Sequence, residues 1–245
     1  MLAGAALLLT GCQLDLELAV EVNRNGGGVL SVALEADGAL RDRAAEADVD
    51  PLADLARSGR ALAPDGWRVA ERDTPGGGRR VTLRREFADP AEFAIVAQQL
   101  ADALAAEEVV LLDALQLTLT DDRVRVEGAA GAEPTRAVRD YGVGPRRAVA
   151  LLREEEAFEY QVTVDLPGEV LSGTAGGQEG STLTWTIAPG ERVTIAAEST
   201  RPGPPILRAV LGALGGGLLA GALLLGWSRR RRPRPSRLTG DVTAR

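Results

Sequence analysis

Apolar and polar residues alternate strictly at the start of the chain. Leu14, Leu16, Leu18, Val20 and Val22 are separated by Asp15, Glu17, Ala19 and Glu21. A period of two predicts a half-buried strand. Asn25-Gly26-Gly27-Gly28 follows, and Asn and Gly accept the positive φ of a tight turn. Leu30, Val32 and Leu34 resume the alternation, so the first predicted unit is a hairpin. Over residues 43–58 the pattern turns helical. Asp50-Pro51 fits an N-cap and first-turn proline, with Leu52 and Leu55 on one face. Trp67-Arg68-Val69 and Arg79 to Phe87, parted by Pro75-Gly76-Gly77-Gly78, predict a second hairpin. Asp89-Pro90-Ala91-Glu92 has capping-box spacing. Phe93, Val96, Ala97, Leu100 and Leu104 lie on one side of the helix it starts.

Leu115, Leu117 and Leu119 alternate again, Asp121-Asp122 turn the chain, and Val124 and Val126 return. Residues 128–145 are Gly, Ala, Pro and Arg without periodicity and read as a loop or insertion. Ala148 to Glu156 reads as a short helix. Phe158, Tyr160, Val162, Val164 and Leu166 form a strand that Pro167-Gly168 ends. Leu183, Trp185 and Ile187 form another, Pro189-Gly190 turns it, and Val193, Ile195 and Ala197 form the next. Arg201 to Pro205 reads as a stiff linker. Strands in hairpins with a few intervening helices predict an α+β class: an antiparallel sheet with two or three packed helices. The regular strand–helix alternation of a parallel doubly wound sheet is missing.

One apolar stretch fits neither period. Ala209 to Trp227 carries no charge. At about 1.5 Å per residue it spans about 28 Å, close to the ~30 Å hydrocarbon core of a bilayer. It is predicted to be a C-terminal transmembrane helix, residues 209–227, after a linker at 204–208. Arg229, Arg230, Arg231 and Arg232 follow it. Positive residues stay inside, so residues 228–245 are expected to be a basic cytoplasmic tail and residues 12–203 an extracytoplasmic domain. Gly212 and Gly216, and Gly217 and Gly221, stand four apart. That spacing lets helices approach, although glycine is simply abundant here.

At the other end, Leu8-Leu9-Thr10-Gly11-Cys12 reads as a lipobox. Residues 1–11 would then be a signal peptide and Cys12 the lipidated residue. A signal peptide has a basic n-region; none is present, as expected if translation starts further upstream. One acyl chain binds membranes only marginally, so the span would retain the protein and the lipid would hold the domain's N-terminal edge. Cys12 is the one cysteine, which leaves no disulfide to stabilise the fold.

Charge divides along the chain. Residues 13–207 carry 20 arginines and 34 acidic residues, a net of −14. An acidic domain argues against nucleic acid as a partner. All 28 basic residues are arginine, which together with abundant Ala, Gly and Leu suggests a high-GC genome.

Several motifs together carry a resemblance. They are the lipobox, the Trp67 strand, the Asp89-Pro90-x-Glu92-Phe93 helix start, and Val164-Asp165-Leu166-Pro167-Gly168 followed by Thr184-Trp185-Thr186 and Pro189-Gly190. In this order the chain resembles the LppM-type lipoproteins of actinobacteria. The resemblance implies an extracytoplasmic α+β domain, similar in kind to lipid-binding folds and tethered to a membrane, with no established catalytic residues. The 128–145 segment and the missing n-region depart from the family. Trp67, Phe93, Tyr160 and Trp185 fall on apolar faces of predicted elements, where core packing is the default role. If sheet and helix curve around a cavity, as the resemblance implies, these four are the candidate ligand-binding residues.

Chemistry is otherwise sparse. Without histidine there is no His-based triad, and almost all zinc and copper sites are removed. Without lysine there is no phosphate-cradling loop of the Gly-Lys type. Gly142-Val143-Gly144 reads as a turn rather than an anion nest. Glu154, Glu155 and Glu156 read as a solvated face, and Asp48 and Asp50 as helix caps rather than a calcium loop. No catalytic residue, metal site or cofactor is expected. The leading expectation is a non-enzymatic envelope lipoprotein that binds a lipid or glycolipid. The alternative is a membrane-tethered protein–protein interaction module. The third is a glycan hydrolase, which needs two carboxylates facing each other across a cleft. Oligomeric state is left open.

Overall fold

The structure is a computed structural model and describes residues 12–106, 109–134, 149–150, 153 and 157–203. The chain up to Pro202 forms one compact unit.

The chain opens with the expected hairpin, β1 (Leu14–Val22) and β2 (Gly28–Ala36). Its turn uses Gly26 at φ 86°, the left-handed region that costs glycine little. Gly28 is required for a different reason. A Cβ there would lie 1.9 Å from the Glu21 carbonyl oxygen.

The single helix expected over 43–58 is two helices, α1 (Gly38–Glu46) and α2 (Ala53–Leu62). Asp37 caps α1 by accepting from the Leu40 amide. Asp48 lies between the helices at φ 56°, which breaks the helical path. Asp50 does not cap α2 in the N-cap position. It folds an Asx turn by accepting from the Leu52 amide at 2.9 Å.

The second hairpin pairs β3 (Arg68–Thr74) with β4 (Gly78–Phe87). Helix α3 (Pro90–Ala106) begins with the predicted reciprocal cap. Asp89 accepts from the Glu92 amide, and the Glu92 carboxylate reaches back to the Ala88 amide. The third hairpin joins β5 (Val109–Leu119) and β6 (Arg123–Pro134). Residues 128–134, expected to be loop, continue β6 because they pair with β5 and with the last strand. The remainder of that segment lies outside the described residues. Of the expected helix over 148–156, residues 149, 150 and 153 are described and helical.

The last segment holds β7 (Phe158–Asp165), β8 (Val170–Gly173), β9 (Gly177–Glu179), β10 (Thr182–Ile187) and β11 (Arg192–Thr200). The expectation of one antiparallel sheet needs two corrections. First, there are two sheets: β3-β4-β2-β1-β7-β10-β9, and β5-β6-β11-β8. Second, the larger is mixed, since β1 and β7 run parallel with Leu16 beside Tyr160 and Leu18 beside Val162. Pro189-Gly190 therefore does not close a hairpin. It carries the chain from β10 in one sheet to β11 in the other.

The inner face of the large sheet, the second sheet, α2 and α3 share one apolar core, with Leu18, Leu30, Leu83, Phe93, Tyr160 and Ile195 fully buried. Among the described residues no helix is long and apolar enough to cross a membrane. Ala209–Trp227, the four spaced glycines and the basic tail lie outside them.

Candidate functional site

The four aromatic candidates do not line one cavity. Trp67, Phe93, Tyr160 and Trp185 are at most 3% exposed. Trp67 sits just before β3, and its indole N–H donates to the Gln99 amide oxygen on α3 at 3.3 Å. Phe93 packs edge-on against Phe87 with ring centroids 4.9 Å apart. Both serve the α3 side of the core. Tyr160 and Trp185 sit on neighbouring strands at the other end of the large sheet. Burial pushes the Tyr160 phenol above its usual range, as expected for a core tyrosine.

Of the four, Trp185 lines a groove. Strand β9 pairs with β10 only as far as Thr184. Beyond it the β10 edge is open, and a groove of about 620 Å³ forms between that edge and β11. Its walls are Trp185, Val193, Gly176, Gly177 and the threonines Thr174, Thr184, Thr186 and Thr194. Thr174 fixes the floor. Its hydroxyl accepts from the Trp185 indole N–H and the Ala196 amide and donates to the Thr194 carbonyl. The Thr184, Thr186 and Thr194 hydroxyls make no hydrogen bond among the described residues. A second groove of about 250 Å³ shares Gly176 and Gly177 and is bordered by Leu171, Leu183 and Val170. Leu171 is 47% exposed. No charged residue lines either groove, although the domain carrying them is strongly acidic.

Such a surface can offer hydroxyls, one aromatic edge and an apolar margin to a ligand, which is the mixture that ligand sites use. Sequence patterning missed it. The run Ser172-Gly173-Thr174-Ala175-Gly176-Gly177 has no period, and its small size was the one available signal that space is left beside Trp185.

Cys12 is partly exposed and stands two residues before the start of β1, whose Leu14 amide donates to the Ala157 carbonyl. Carboxylates gather elsewhere, on the outer face of the large sheet. There the register puts Glu35 and Glu159 on either side of Asp15. Burial, and then the charges of Glu159, Glu35 and Asp37, raise the Asp15 carboxyl above its usual range against a lowering contact from Gln13. These groups stand on an open strand face, not across a cleft. Asp50 is paired with Arg79. Among the described residues no group of three or more His, Cys, Asp or Glu could hold a metal ion. Gly142–Gly144 and Glu154–Glu156 lie outside the described residues.

A family model described as the LppM domain matches residues 13–201. Among solved structures, the chain is similar to the NMR structure of the folded domain of the Mycobacterium tuberculosis LppM protein. That match has a TM-score of 0.47 and 17% identity, and covers 80% of this chain and 94% of that one. No curated protein matches the chain.

Proposed function

The chain belongs to the LppM domain family, and from that premise we propose that it is a membrane-anchored envelope lipoprotein, not an enzyme, whose extracytoplasmic domain binds a lipid or glycolipid. Cys12 is the acylated residue, Ala209–Trp227 the span, and the arginine-rich tail the cytoplasmic end. The observation that carries the ligand reading is the pair of uncharged grooves around Gly176 and Gly177. Free threonine hydroxyls beside Trp185 suit a polyhydroxylated, uncharged headgroup. The Leu171–Leu183 margin suits an acyl chain, since each buried methylene contributes about 0.8 kcal/mol. Trp67, Phe93 and Tyr160 keep a structural role in this reading.

The test is to purify the full-length protein gently from a high-GC actinobacterial host and identify what solvent extraction releases. A defined lipid at near-stoichiometric occupancy is expected. Thr186→Trp, at an exposed position of the groove wall, should lower that occupancy at least several-fold while leaving the melting temperature unchanged. A clean apo protein that also takes up no lipid from mixed vesicles would sink the ligand reading and favour the interaction module.

A further inference from the structure

One hollow on the outer face of the large sheet is built from arginine. It has a volume of about 440 Å³ and is lined by Arg68, Ala70 and Arg72 of β3 and by Arg80, Thr82 and Arg84 of β4. The strand register accounts for it. Arg68 stands opposite Arg84, Arg72 opposite Arg80, and Ala70 opposite Thr82 between the two pairs. Along the strands the arginine pairs lie about 13 Å apart, at ~3.3 Å per residue. The small middle pair leaves the hollow, and an arginine pair walls each end. Like charges directly opposite one another destabilise a strand pair, and here two such pairs share one face. Arg80 is compensated by Glu17 of β1 and Glu35 of β2. The side chains of Arg68, Arg72 and Arg84 make no ion pair or hydrogen bond among the described residues, and all three are exposed. The Thr82 hydroxyl on the floor makes no hydrogen bond among them either. No carboxylate lines the hollow, although residues 13–207 carry a net charge of −14. Asp65, Glu86 and Glu92 border a separate, smaller hollow that Arg68 and Arg84 share, and Glu92 is engaged there by Arg85.

We propose that this hollow is an anion site that takes a phosphate ester. A guanidinium presents its N–H donors in a planar fork that matches phosphate oxygens bidentately. Strand pairing sets two such forks side by side at each end of the hollow. Counting the two glutamates on Arg80, the four arginines leave a net charge of +2. A carboxylate would leave half of that standing, whereas a phosphate monoester carries roughly −1.5 to −2 at neutral pH and cancels most of it. The Thr82 hydroxyl can donate to a further oxygen. A lone phosphate is far smaller than 440 Å³, so room remains for the group it esterifies. Strand β3 is the last in the sheet, so the hollow lies at its edge. A soluble phosphate ester and a phospholipid headgroup share this chemistry. The site uses none of the residues of the two uncharged grooves and stands apart from the ligand reading they carry.

The experiment is titration calorimetry on the full-length protein in an uncharged detergent at constant ionic strength. Glycerol phosphate is the soluble probe, and phosphatidic acid doped into the same micelles is the lipid probe. Arg68→Gln/Arg84→Gln and Arg72→Gln should each weaken binding about tenfold or more, the scale of a lost charge-assisted bond. Arg43→Gln/Arg57→Gln removes two charges from α1 and α2 instead and should change affinity less than about twofold, the effect of distant, screened charges. Arg68→Gln/Arg84→Gln also removes a like-charge pair, so without probe it should melt no lower than wild type, which separates lost binding from lost folding. Probe should raise the melting temperature of wild type and leave that variant unmoved. Arginine-dependent binding of glycerol phosphate supports the site as one for a soluble ester. Arginine-dependent binding of phosphatidic acid alone supports it as one for a phospholipid headgroup. Absence of binding by both probes overturns the proposal. So does an affinity that the β3–β4 variants leave unchanged, or one that the α1–α2 variant lowers equally.

Discussion

Two carboxylates in this domain respond to acid with opposite sign. Glu198 on β11 accepts from Arg123 and Arg125, which hold its carboxyl below the ordinary 4.5. Its contribution to stability is complete above pH 4.5 and is lost as the pH falls through the lowered value. Glu198→Gln should therefore melt below wild type at neutral pH, and that gap should close as acid is added below pH 4.5. Asp15 has the reverse character. Its carboxyl is raised above 3.8, first by burial, and one of its oxygens is buried without a partner among the described residues. Ionising it costs stability, so Asp15→Asn should melt above wild type at pH 7. The difference should shrink as the pH falls through the raised value and vanish below pH 3.8. Thermal melts of the three proteins across pH 3–7 check both statements, and a Glu198→Gln gap that persisted in acid would refute the first. Residue identity alone could not have separated the two. Both belong to strand patterns rich in acid, and only the cross-strand neighbours, arginines for one and carboxylates for the other, decide the sign.

Elements were most legible where local chemistry closes on itself. The Asp89–Glu92 cap needs only four consecutive residues, and the three hairpin turns carry their own glycines or aspartates, so these were readable. The β6 continuation through 128–134 was not, because small residues without alternation acquire strand geometry only from neighbours on both sides. The α1–α2 break hangs on one residue, Asp48, at positive φ, which no pattern announces. A second such residue marks an irregularity in the β5–β6 ladder. The register shifts between Asp113 and Gln116, and Ala114 sits there at φ 49°. An alanine in that region is strained by about 1–2 kcal/mol, while glycine costs up to about 1 kcal/mol of chain entropy. Ala114→Gly should thus stabilise the domain by about 0.5–1 kcal/mol in denaturant unfolding, and a loss of stability would count against this backbone. The amphipathicity of α3 makes a sharper contrast. Phe93 is fully buried against Phe87 and Ile95 is 57% exposed. Phe93→Ala should cost about 3–5 kcal/mol, lowering Tm by roughly 10 °C. Ile95→Ala should stay within about 0.5 kcal/mol. Equal effects would mean that the helix presents a different face to the core.

At the scale of the molecule, the sequence conveys the class but not the partition into two sheets. Alternation of period two reports that one face is buried and says nothing of which strand lies alongside. The β1–β7 pair joins residues about 140 positions apart in a parallel sense, and neither its partner nor its direction leaves a local mark. What couples the two sheets can still be named at one end. The Arg201 side chain donates to the Arg24 carbonyl in the β1–β2 turn at 2.9 Å and to the Thr120 carbonyl before the β5–β6 turn at 3.0 Å. Its backbone amide donates to the Asp122 carbonyl at 2.7 Å. One residue thus ties a turn of the large sheet to a turn of the small one, and so packs with the domain, although the stiff linker was expected to start at residue 201. Charge-assisted bonds of this kind contribute more than neutral ones, although exposure reduces them. Arg201→Ala should cost about 1–2 kcal/mol, and its signature should be local. Amide exchange should accelerate at Gly26 and Arg123, whose turns lose their shared tether, while the β1–β7 amides keep their protection. Uniform acceleration through both sheets would instead mean that Arg201 stabilises the fold globally. No change at either turn would mean that the sheets are held together by the core alone.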